Sequence, residues 1–324
     1  MLKIGLLGAG HLGRIHLKCL QLAAESFELV GFYEPDETNA RRAETTFGVR
    51  RFDSYGALLD AVEVVDIVTP TVTHFELAKR ALDAGKHVFI EKPLTQTPAE
   101  ARDLRDLQRD SGLHVQVGHV ERFNPALLAL DGMTIAPQFI EAHRLAPFNP
   151  RSTDVSVVLD LMIHDLDLLL SMVDAEVTDI QANGVPIVSN SADIANARLQ
   201  FANGCVANLT ASRISLKQMR KLRLFQTDAY VSLDFLEKSA QIVRLHDADG
   251  ADPAQSEDWL PLETQRGRKL IEVRQPTIEP INAIQRELES FAASIRANEF
   301  PRVTLEDGYR ALQLAHRIQV AIDA

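Results

Sequence analysis

The 324-residue sequence has only two cysteines, Cys19 and Cys205, which lie far apart and outside any metal-type spacing. A disulfide framework is therefore excluded, and a reducing compartment, the cytoplasm, is expected. Positive charge is also scarce, because 34 Lys and Arg face 45 Asp and Glu, for a formal net charge of −11. Nucleic-acid and membrane-surface binding need a basic face, so the composition argues against both.

Long apolar runs are missing too, and nothing approaches the roughly 18 apolar residues that a membrane-spanning helix requires. The N-terminal MLKIGLLGAG has a single lysine and an apolar stretch that continues directly into glycines. We interpret it as a first β-strand and not as a signal peptide. The length predicts two domains, since one domain commonly takes about 100–200 residues.

The first third of the sequence alternates strand signals with helix signals, which predicts an α/β fold with a doubly wound parallel sheet. A capping box at Thr97–Glu100 begins one helix, and Gly112 lies where that helix should end. Thr73 is expected to cap the helix that Gly85 ends. The predicted strands are residues 2–7, 28–33, 49–52, 64–69, 87–91 and 113–118.

The segment GLLGAGHLGRIH has glycines in G-x-G-x-x-G spacing at the first strand-to-helix turn. Gly8 permits a tight turn, Gly10 lets the backbone approach a pyrophosphate, and Gly13 allows close helix–strand packing. The helix N-terminus then offers amide donors to the phosphates. Alone, this motif is common, but its position after a strand predicts a dinucleotide site that includes His11 and Leu12.

Glu34 ends the second predicted strand, about 20 residues after the glycine motif. A carboxylate at this position accepts hydrogen bonds from both ribose hydroxyls and repels a 2′-phosphate, so NAD is favoured over NADP. Arg41 and Arg42 argue for the opposite preference, because arginines can pair with a phosphate. They fall in a predicted helix, where solvated arginines are expected.

The segment HVFIEKPLT reads as an apolar strand that ends on Lys92 and stops at Pro93. Ligands of open α/β sheets bind beyond the carboxyl ends of the strands, so Lys92 is expected to face the cofactor. A lysine whose stem lies along apolar surface while its charge reaches water is the alternative.

Four segments together resemble the glucose–fructose oxidoreductase and inositol dehydrogenase (Gfo/Idh/MocA) family. The resemblance implies a Rossmann domain followed by an α/β domain with a largely antiparallel, open-faced sheet. It also implies a homodimer or homotetramer formed through that sheet. The segments are the glycine turn at 8–13, DIVTPTVTHFELAKRALDAGKHVFIEKPLT at 66–95, LDLMIHDLDLL at 159–169 and PRVTLEDGYRALQLAHRI at 301–318.

The resemblance also assigns residues to the cofactor site. Lys92 is implied to contact both the nicotinamide end of the cofactor and the reacting hydroxyl, and a cis bond before Pro93 is implied to shape the turn. The other cofactor contacts expected in the matching segments are Thr69, Pro70, His74 and Glu91. His119, after the last strand, is expected either to stack near the nicotinamide or to cap the strand.

Asp160 and His164 lie four residues apart, which places them on one face of a predicted helix. A carboxylate beside an imidazole holds its tautomer and raises its basicity, as an alcohol-deprotonating base requires. The family pattern has an Asp and a His at this spacing, although DVSVVLD lacks the glycines that often precede the aspartate. Whether Lys92 or His164 takes the proton stays open, and no third ligand supports a metal site.

Residues near the end of the first domain are predicted to bind substrate. Arg122 and Phe123 match an Arg-Phe pair of the family, and Asn124 begins a turn, which gives domains at 1–122 and 123–324. A second candidate is the basic segment SRISLKQMRKLRL, where Arg213 and Lys217 are proposed to hold a substrate diphosphate or carboxylate. A solvated loop is the alternative for this segment.

Beyond residue 175 the pattern becomes alternating, with hairpin signals at Asn203-Gly204 and Asp228-Ala229. The polar stretch 246–258 is predicted to be an exposed loop. Residues 283–297 and 305–322 have helical periodicity. These terminal helices can pack on either domain.

The combined expectation is an NAD-dependent dehydrogenase that oxidises a ring hydroxyl of a sugar or nucleotide sugar. GHVERFNP and DLMIHDLDLL look like members that oxidise position 3 of UDP-N-acetylglucosamine. An inositol or free-sugar dehydrogenase, or a keto-sugar reductase, remains an alternative. A non-catalytic dinucleotide-sensing protein is the alternative of another class, but such relatives tend to lack the lysine or the histidine, and both Lys92 and His164 are present.

Overall fold

The parallel sheet expected for the first third of the chain is present in the computed structural model, which describes residues 1–149, 155–249, 259–265 and 267–324. Its strands run in the order β2-β1-β3-β4-β5, and each pair is parallel. This confirms the doubly wound prediction. The strands are β1 (Leu2–Leu7), β2 (Phe27–Tyr33), β3 (Val64–Ile67), β4 (His87–Glu91) and β5 (Val115–Gly118).

The strand predicted at 49–52 is wrong, because this segment pairs only at one bridge between Phe32 and Arg51. Two backbone hydrogen bonds hold it there: Phe32 N–H donates to the Arg50 carbonyl, and Phe52 N–H donates to the Phe32 carbonyl. The segment therefore only touches the outer edge of β2.

Helices cover this sheet, and their ends follow local sequence signals. Thr97 forms the predicted capping box with Glu100, and Gly112 ends that helix in the left-handed region. Thr73 does not act as the predicted cap, because its hydroxyl donates to Thr69 Oγ1 and the Pro70 carbonyl. The helices are α1 (His11–Leu22), α2 (Glu37–Phe47), α3 (Tyr55–Ala61), α4 (His74–Asp83) and α5 (Pro98–Ser111).

The described chain divides into two units: the first comprises residues 1–123 and 281–314, and the second comprises 124–280 and 315–324. Of the terminal helices α8 (Ala283–Ala297) and α9 (Leu305–Asp323), α8 lies wholly in the first unit. Phe291 of α8 is fully buried and meets Phe89 edge to face, with ring centroids 6.1 Å apart. The first unit is thus built from two distant stretches of sequence.

The second unit contains a nine-stranded sheet in the order β13-β14-β12-β11-β10-β6-β9-β8-β7. Its pairs are antiparallel except for β6 with β9. Both predicted hairpins are present, and Gly204 has a positive φ in the first. The strands are β6 (Phe139–Leu145), β7 (Val177–Val185), β8 (Ile194–Phe201), β9 (Val206–Ser212), β10 (Met219–Phe225), β11 (Ala229–Asp234), β12 (Ser239–Asp247), β13 (Leu260–Thr264) and β14 (Gly267–Arg274).

Short helices complete the second unit: α6 (Pro125–Leu128) follows the junction, and α7 (Ile163–Met172) follows a π-helical turn at Val158–Met162. Of the exposed loop predicted at 246–258, residues 246 and 247 belong to β12, and 250–258 lie outside the described residues. In the parts of the chain that the structure describes, no helix combines the length and hydropathy needed to cross a bilayer.

Candidate cofactor and catalytic sites

The glycine motif forms a tight turn between β1 and α1, with no room for side chains at two of its positions. Gly8 has a φ of +88°, and a Cβ there would lie 2.5 Å from the Val68 carbonyl oxygen. A Cβ on Gly13 would lie 1.9 Å from the Gly8 carbonyl oxygen. At Gly10 a Cβ would point into open space, so glycine here leaves the backbone accessible to a ligand. The three glycines thus have the separate roles expected of a pyrophosphate turn.

The N-terminus of α1 is suited to bind an anion. Gly10 is the N-cap residue and has no side chain with which to cap the helix. The first turn also lacks an acidic residue, so neither Asp nor Glu competes for the amide groups. These amides and the positive end of the helix dipole favour a phosphate.

A cavity of about 580 Å³ lies in front of this turn. Its lining includes Gly8, Gly10, His11 and Leu12 of the turn, and Thr69 and Pro70 of the loop after β3. Apolar side chains complete the wall, which is the kind of surface that an adenine ring contacts. The remaining lining residues are Leu7, Tyr33, Glu34, Pro35, Asn39, Val68, Thr73 and Leu77.

Glu34 stands at the end of β2 with its carboxylate held by two backbone amides. Oε2 accepts a hydrogen bond from Ala9 N–H at 2.7 Å, and Oε1 accepts one from Asp36 N–H at 2.9 Å. Each carboxylate oxygen has a further lone pair available for a ribose hydroxyl. The turn, the helix end, the cavity and this acid fit NAD.

Of the two arginines that argued for NADP, Arg41 and Arg42, the first has an acidic partner in the structure, Glu37, which it shares with Arg51. Arg41 Nε donates to Glu37 Oε1 at 2.7 Å, and Arg51 Nη1 donates to Glu37 Oε2 at 2.6 Å. The single Glu37 carboxylate accepts hydrogen bonds from both guanidinium groups and so offsets one of their two positive charges.

His74 lies between the backbones of two loops, of which the loop after β3 borders the cavity. Its Nδ1 lies 2.9 Å from the Pro93 carbonyl and its Nε2 lies 2.9 Å from the Thr69 carbonyl. Burial lowers the pKa of His74, and a neutral imidazole donates only one of these hydrogen bonds. His74 therefore joins the loop after β3 to the loop after β4.

The end of β4 has the geometry that the EKP segment predicted. The Lys92–Pro93 peptide bond is cis, as the family resemblance implied. Glu91 is buried, and its Oε2 accepts the Lys92 backbone N–H at 3.1 Å. The Glu91 carboxylate thus holds the backbone of Lys92 in place.

Sequence reasoning missed two residues at this site, His16 and Asp66. Both are fully buried, and His16 lies between the Asp66 and Glu91 carboxylates. Two signals were available: an aspartate inside the apolar run VVDIV, and a histidine on the apolar face of α1. Buried charges of this kind are paired.

The candidate substrate residues near the domain junction have protein partners within their own units. In the first unit, Arg122 Nη2 lies 3.7 Å from Asp307 Oδ1, and Phe123 is buried, as is His119. In the second unit, Asn124 Oδ1 accepts the Ala126 N–H and caps α6. These contacts give Phe123 and Asn124 structural roles.

The segment that carries the candidate residues Asp160 and His164 differs from the regular helix expected. Asp160 lies within the π-helical turn, and His164 lies in the first turn of α7. A π turn closes i to i+5 hydrogen bonds, so the α-helical i, i+4 argument does not apply across it. Both side chains are half-buried. Such turns are frequent at functional sites.

A buried ion pair anchors the start of α7. Arg144 Nε donates to Asp165 Oδ2 at 3.0 Å, and Arg144 Nη2 donates to Asp165 Oδ1 at 2.8 Å. Both side chains are nearly inaccessible to solvent. Asp165 is adjacent to His164, so this bidentate pair fixes the backbone that carries the candidate base.

The expectation for Arg213 is corrected, because its guanidinium is buried and organises a loop. Nε donates to Asp193 Oδ1 at 2.9 Å, and Nη1 donates to the Val155 carbonyl at 2.6 Å. Asp193 Oδ2 also accepts three backbone amides from residues 187–189. Lys217 is exposed in the turn before β10. The two residues therefore do not converge on one pocket.

In the described part of the chain, no group of three or more His, Cys, Asp or Glu side chains is arranged to hold a metal ion.

Comparisons with known proteins agree with this geometry. Residues 2–119 match the Gfo/Idh/MocA oxidoreductase family, described as an NAD-binding Rossmann fold, and residues 138–232 match the C-terminal domain of the same family. UDP-N-acetylglucosamine 3-dehydrogenase of Acidithiobacillus ferrooxidans is 37% identical over 100% of this chain and 98% of its own. The scyllo-inositol 2-dehydrogenase (NAD(+)) of Bacillus subtilis is 28% identical over 66% and 68%.

Solved structures give the same result. The Acidithiobacillus ferrooxidans enzyme superposes with a TM-score of 0.88 at 36% identity, covering 99% of this chain and 98% of that one. A levoglucosan dehydrogenase in complex with NADH and levoglucosan has a TM-score of 0.83 over 99% and 97%, at 19% identity. The latter likeness shows the fold alone.

Proposed function

The chain belongs to the Gfo/Idh/MocA family of NAD-binding oxidoreductases, and from this premise we propose that it oxidises position 3 of UDP-N-acetylglucosamine. The reaction converts a secondary alcohol of the sugar ring to a ketone. NAD is the oxidant and the nucleotide sugar is the substrate.

One observation carries the choice of substrate. The similarity to UDP-N-acetylglucosamine 3-dehydrogenase extends over 100% of this chain, and so includes the second unit. The similarity to scyllo-inositol 2-dehydrogenase covers 66% of the chain and is weaker, at 28% identity. An inositol 2-dehydrogenase of Rhizobium meliloti also matches 97% of the chain, but at 26% identity. Because substrates are distinguished by residues outside the nucleotide fold, the higher identity over the full length supports the nucleotide sugar.

The residues of the first unit hold the cofactor. The amides at the start of α1 would bind the pyrophosphate, and Gly10 leaves the backbone open to its approach. The Glu34 carboxylate would accept hydrogen bonds from the ribose hydroxyls. Thr69 and Pro70 border the same cavity. When bound, NAD supplies the acceptor for the hydride that leaves the alcohol carbon.

The hydroxyl proton must leave as the hydride leaves carbon, and Lys92 and His164 are the residues that we assign to this step. A neutral amine or imidazole takes the proton through its lone pair. Asp160 is assigned to hold the tautomer of the His164 imidazole.

The test uses UDP-N-acetylglucosamine deuterated at carbon 3, incubated with NAD. We expect reduced nicotinamide, followed by its absorbance, and we expect mass spectrometry to find the deuterium in the reduced cofactor. A parallel panel contains other UDP-sugars, myo-inositol, scyllo-inositol and free hexoses. Reduction of NAD without transfer of the label, or by inositols alone, would contradict the proposal.

Variants test the catalytic assignment. Lys92→Ala and His164→Ala should each lower kcat by at least about 10²-fold, since a positioned acid or base contributes about 10²–10⁴-fold. Lys79→Ala is the control, because Lys79 is exposed and pairs only with Asp83 one turn away on α4. Full turnover in both site variants would remove the assignment.

For the assembly, we propose a homodimer or homotetramer formed through the open face of the second unit's sheet. Phe139, Phe225 and Tyr230 form an aromatic row on this sheet, with centroids 5.7 and 4.9 Å apart. Light scattering should find two or four times 35.9 kDa, and Phe225→Glu should lower that mass. Leu22→Glu, exposed in the first unit, is the control. A monomeric wild type would contradict this proposal.

We further propose that the protein resides in the cytoplasm. Cys19 and Cys205 are both buried free thiols, as a reducing compartment allows. Fractionation of cells that produce the protein should recover it with cytoplasmic markers, and recovery with a secreted or envelope fraction would contradict the assignment.

A further inference from the structure

Three ionisable side chains are buried together in the first unit at the end of β4. His16 Nδ1 lies 2.9 Å from Asp66 Oδ2, and His16 Nε2 lies 3.1 Å from Glu91 Oε1. His16 and Asp66 are fully buried, and Glu91 is 7% exposed. An ionised carboxylate only accepts hydrogen bonds, so two ionised partners require a proton on each ring nitrogen. Burial raises the pKa of Asp66 against the attraction and hydrogen bond of His16.

The charges of this triad follow from its contacts. Burial by itself lowers the pKa of His16, but attraction and hydrogen bonds from Asp66 and Glu91 outweigh burial and raise the pKa well above its ordinary value. Burial acts to raise the pKa of Glu91, yet the hydrogen bond and charge of His16 hold it below the ordinary value. His16 is thus an imidazolium that keeps Glu91 ionised.

Glu91 transmits this arrangement to the catalytic lysine. Its Oε1 receives the His16 hydrogen bond, while its Oε2 accepts the backbone N–H of Lys92 at 3.1 Å. Gly118 lies opposite Glu91 on β5, and a Cβ there would lie 2.8 Å from the Glu91 carboxyl carbon. The carboxylate therefore occupies a space that the neighbouring strand leaves open for it.

His16 also belongs to the helix that begins at the glycine turn. It lies on the buried face of α1, and its ring packs edge to face on Phe89 of β4, with centroids 5.8 Å apart. Asp66 lies on β3, between β1 and β4 in the sheet. The triad connects the helix that holds the pyrophosphate to the strand that carries Lys92.

We propose that His16 is a positioning residue for Lys92, acting through the Glu91 carboxylate that holds the Lys92 amide. The proposal rests on the catalytic role of Lys92 given above. His16 itself is too deeply buried to touch the substrate. By holding the Lys92 backbone, it fixes the position from which the Lys92 side chain extends. A small displacement of a catalytic group lowers the reaction rate strongly.

Two substitutions separate positioning from stability. In His16→Gln, the amide nitrogen replaces Nε2 and still donates to Glu91. In His16→Asn, it replaces Nδ1 and donates to Asp66 alone. Both remove the positive charge, so we expect both to lower Tm by similar amounts.

The expected kinetic result is a difference in kcat. His16→Asn should lower kcat by about tenfold or more with the sugar KM within about twofold of wild type, because only the reacting geometry is disturbed. His16→Gln should retain most of kcat. His87→Asn is the control, since His87 begins the same strand and contacts His114. Equal losses of kcat in the Gln and Asn variants, or no loss in either, would overturn the proposal.

A second measurement needs neither substrate nor turnover. In the wild type without cofactor, the Lys92 amide proton should exchange slowly with deuterium, and His16 labelled with ¹⁵N should give the spectrum of an imidazolium at pH 8. Exchange at Lys92 should become faster in His16→Asn and should not in His87→Asn. Rapid exchange in the wild type, or a neutral His16, would overturn the inference even if one of the variants fails to fold.

The two proposals can fail separately. If the wild type reduces no NAD with any sugar while Lys92 exchange depends on His16, the proposed function is wrong and the contact through Glu91 stands. If the wild type is active and the Lys92 amide proton exchanges at the same rate in the wild type and in His16→Asn, the positioning role is wrong and the function stands.

Discussion

At the scale of single residues, Glu34 combines a hydrogen-bonding role with a negative charge. Two backbone amides hold its carboxylate at the end of β2. Glu34→Gln keeps one acceptor oxygen, replaces the other with a donor and removes the charge that repels a 2′-phosphate. We expect kcat/KM for NADP relative to NAD to rise about tenfold, or ~1.4 kcal/mol. Glu28→Gln, exposed on the same strand, should leave the ratio unchanged. An unaltered ratio in Glu34→Gln would remove the ribose role.

The raised pKa of His16 predicts how the free energy of unfolding changes with pH. Its folded-state pKa is raised, so its ionisation stabilises the fold fully below the ordinary value near 6.5 and stops doing so as pH rises through the folded-state pKa. The difference in the free energy of unfolding between wild type and His16→Gln should therefore shrink from pH 6 towards alkaline pH. Urea titrations at several pH values measure it.

His87 supplies a control of opposite sign for the same titrations. Burial lowers the pKa of His87, so protonation opposes folding, and the wild type should lose stability relative to His87→Asn as pH falls below about 6.5. Parallel slopes for the two variants would contradict both assignments.

Residues with local signals were predictable from sequence, and residues defined by distant partners were not. Gly8, Gly10 and Gly13 follow from spacing within one turn. His16 lies 50 and 75 residues from its partners Asp66 and Glu91, and no pattern within a sequence window joins such positions. Arg213 was misassigned for the same reason, because its partner Asp193 lies 20 residues earlier, just before β8.

At the scale of elements, the Arg144–Asp165 pair fixes the first turn of α7 to β6. Arg144→Leu leaves a buried carboxylate uncompensated, so we expect a loss of about 3–5 kcal/mol in the free energy of unfolding. Glu141 lies on the same strand as Arg144 and pairs with Arg223 of β10, and the two side chains are 31% and 43% exposed. Glu141→Ala breaks this pair. That change should cost only about 0–1 kcal/mol. Urea unfolding compares the two, and similar losses would contradict the buried role.

The two helix caps show why element boundaries are only partly predictable. Thr97 and Thr73 have the same residue type at a helix start. Thr97 has Glu100 as a reciprocal partner, whereas Thr73 has the nearby Thr69 hydroxyl as a competing one. The capping box is a signal within four residues, but the competition at Thr73 depends on how the loop after β3 folds back.

The π-helical turn before α7 was not predictable for a related reason. VLDLM has ordinary helical propensity, and a π turn is rare in soluble proteins. Its position is set by the packing of the fully buried Val158 and Met162. Local propensity therefore predicts the helix correctly and misses the one turn that holds Asp160.

At the scale of the whole molecule, the first unit depends on a segment from late in the sequence. Phe291→Ala removes a fully buried ring that packs on Phe89, and we expect a loss of about 3–5 kcal/mol. Hydrogen exchange should quicken in β4, roughly 200 residues earlier in the chain. Phe201→Ala is the matched change in the second unit, and its effect should stay in β8 and β9. Unchanged exchange in β4 of Phe291→Ala would contradict this dependence.

The fold class was predictable because it rests on repeated local patterns, namely strand–helix alternation in the first third and hairpin turns beyond residue 175. The location of α8 was not, because its apolar face at Leu288 and Phe291 specifies that it must be buried and not where. Two sheets needed such cover, and the sequence pattern does not distinguish them.

The split composition of the first unit has a consequence for biosynthesis. A ribosome produces residues 1–123 first, yet the helix that covers Phe89 is made only after residues 124–280. At about 5–20 residues per second, that interval is on the order of ten seconds. The nascent nucleotide-binding sheet must wait through it with apolar surface uncovered, so neither unit can be completed until the last stretch of the chain, from residue 281 onward, has been synthesised.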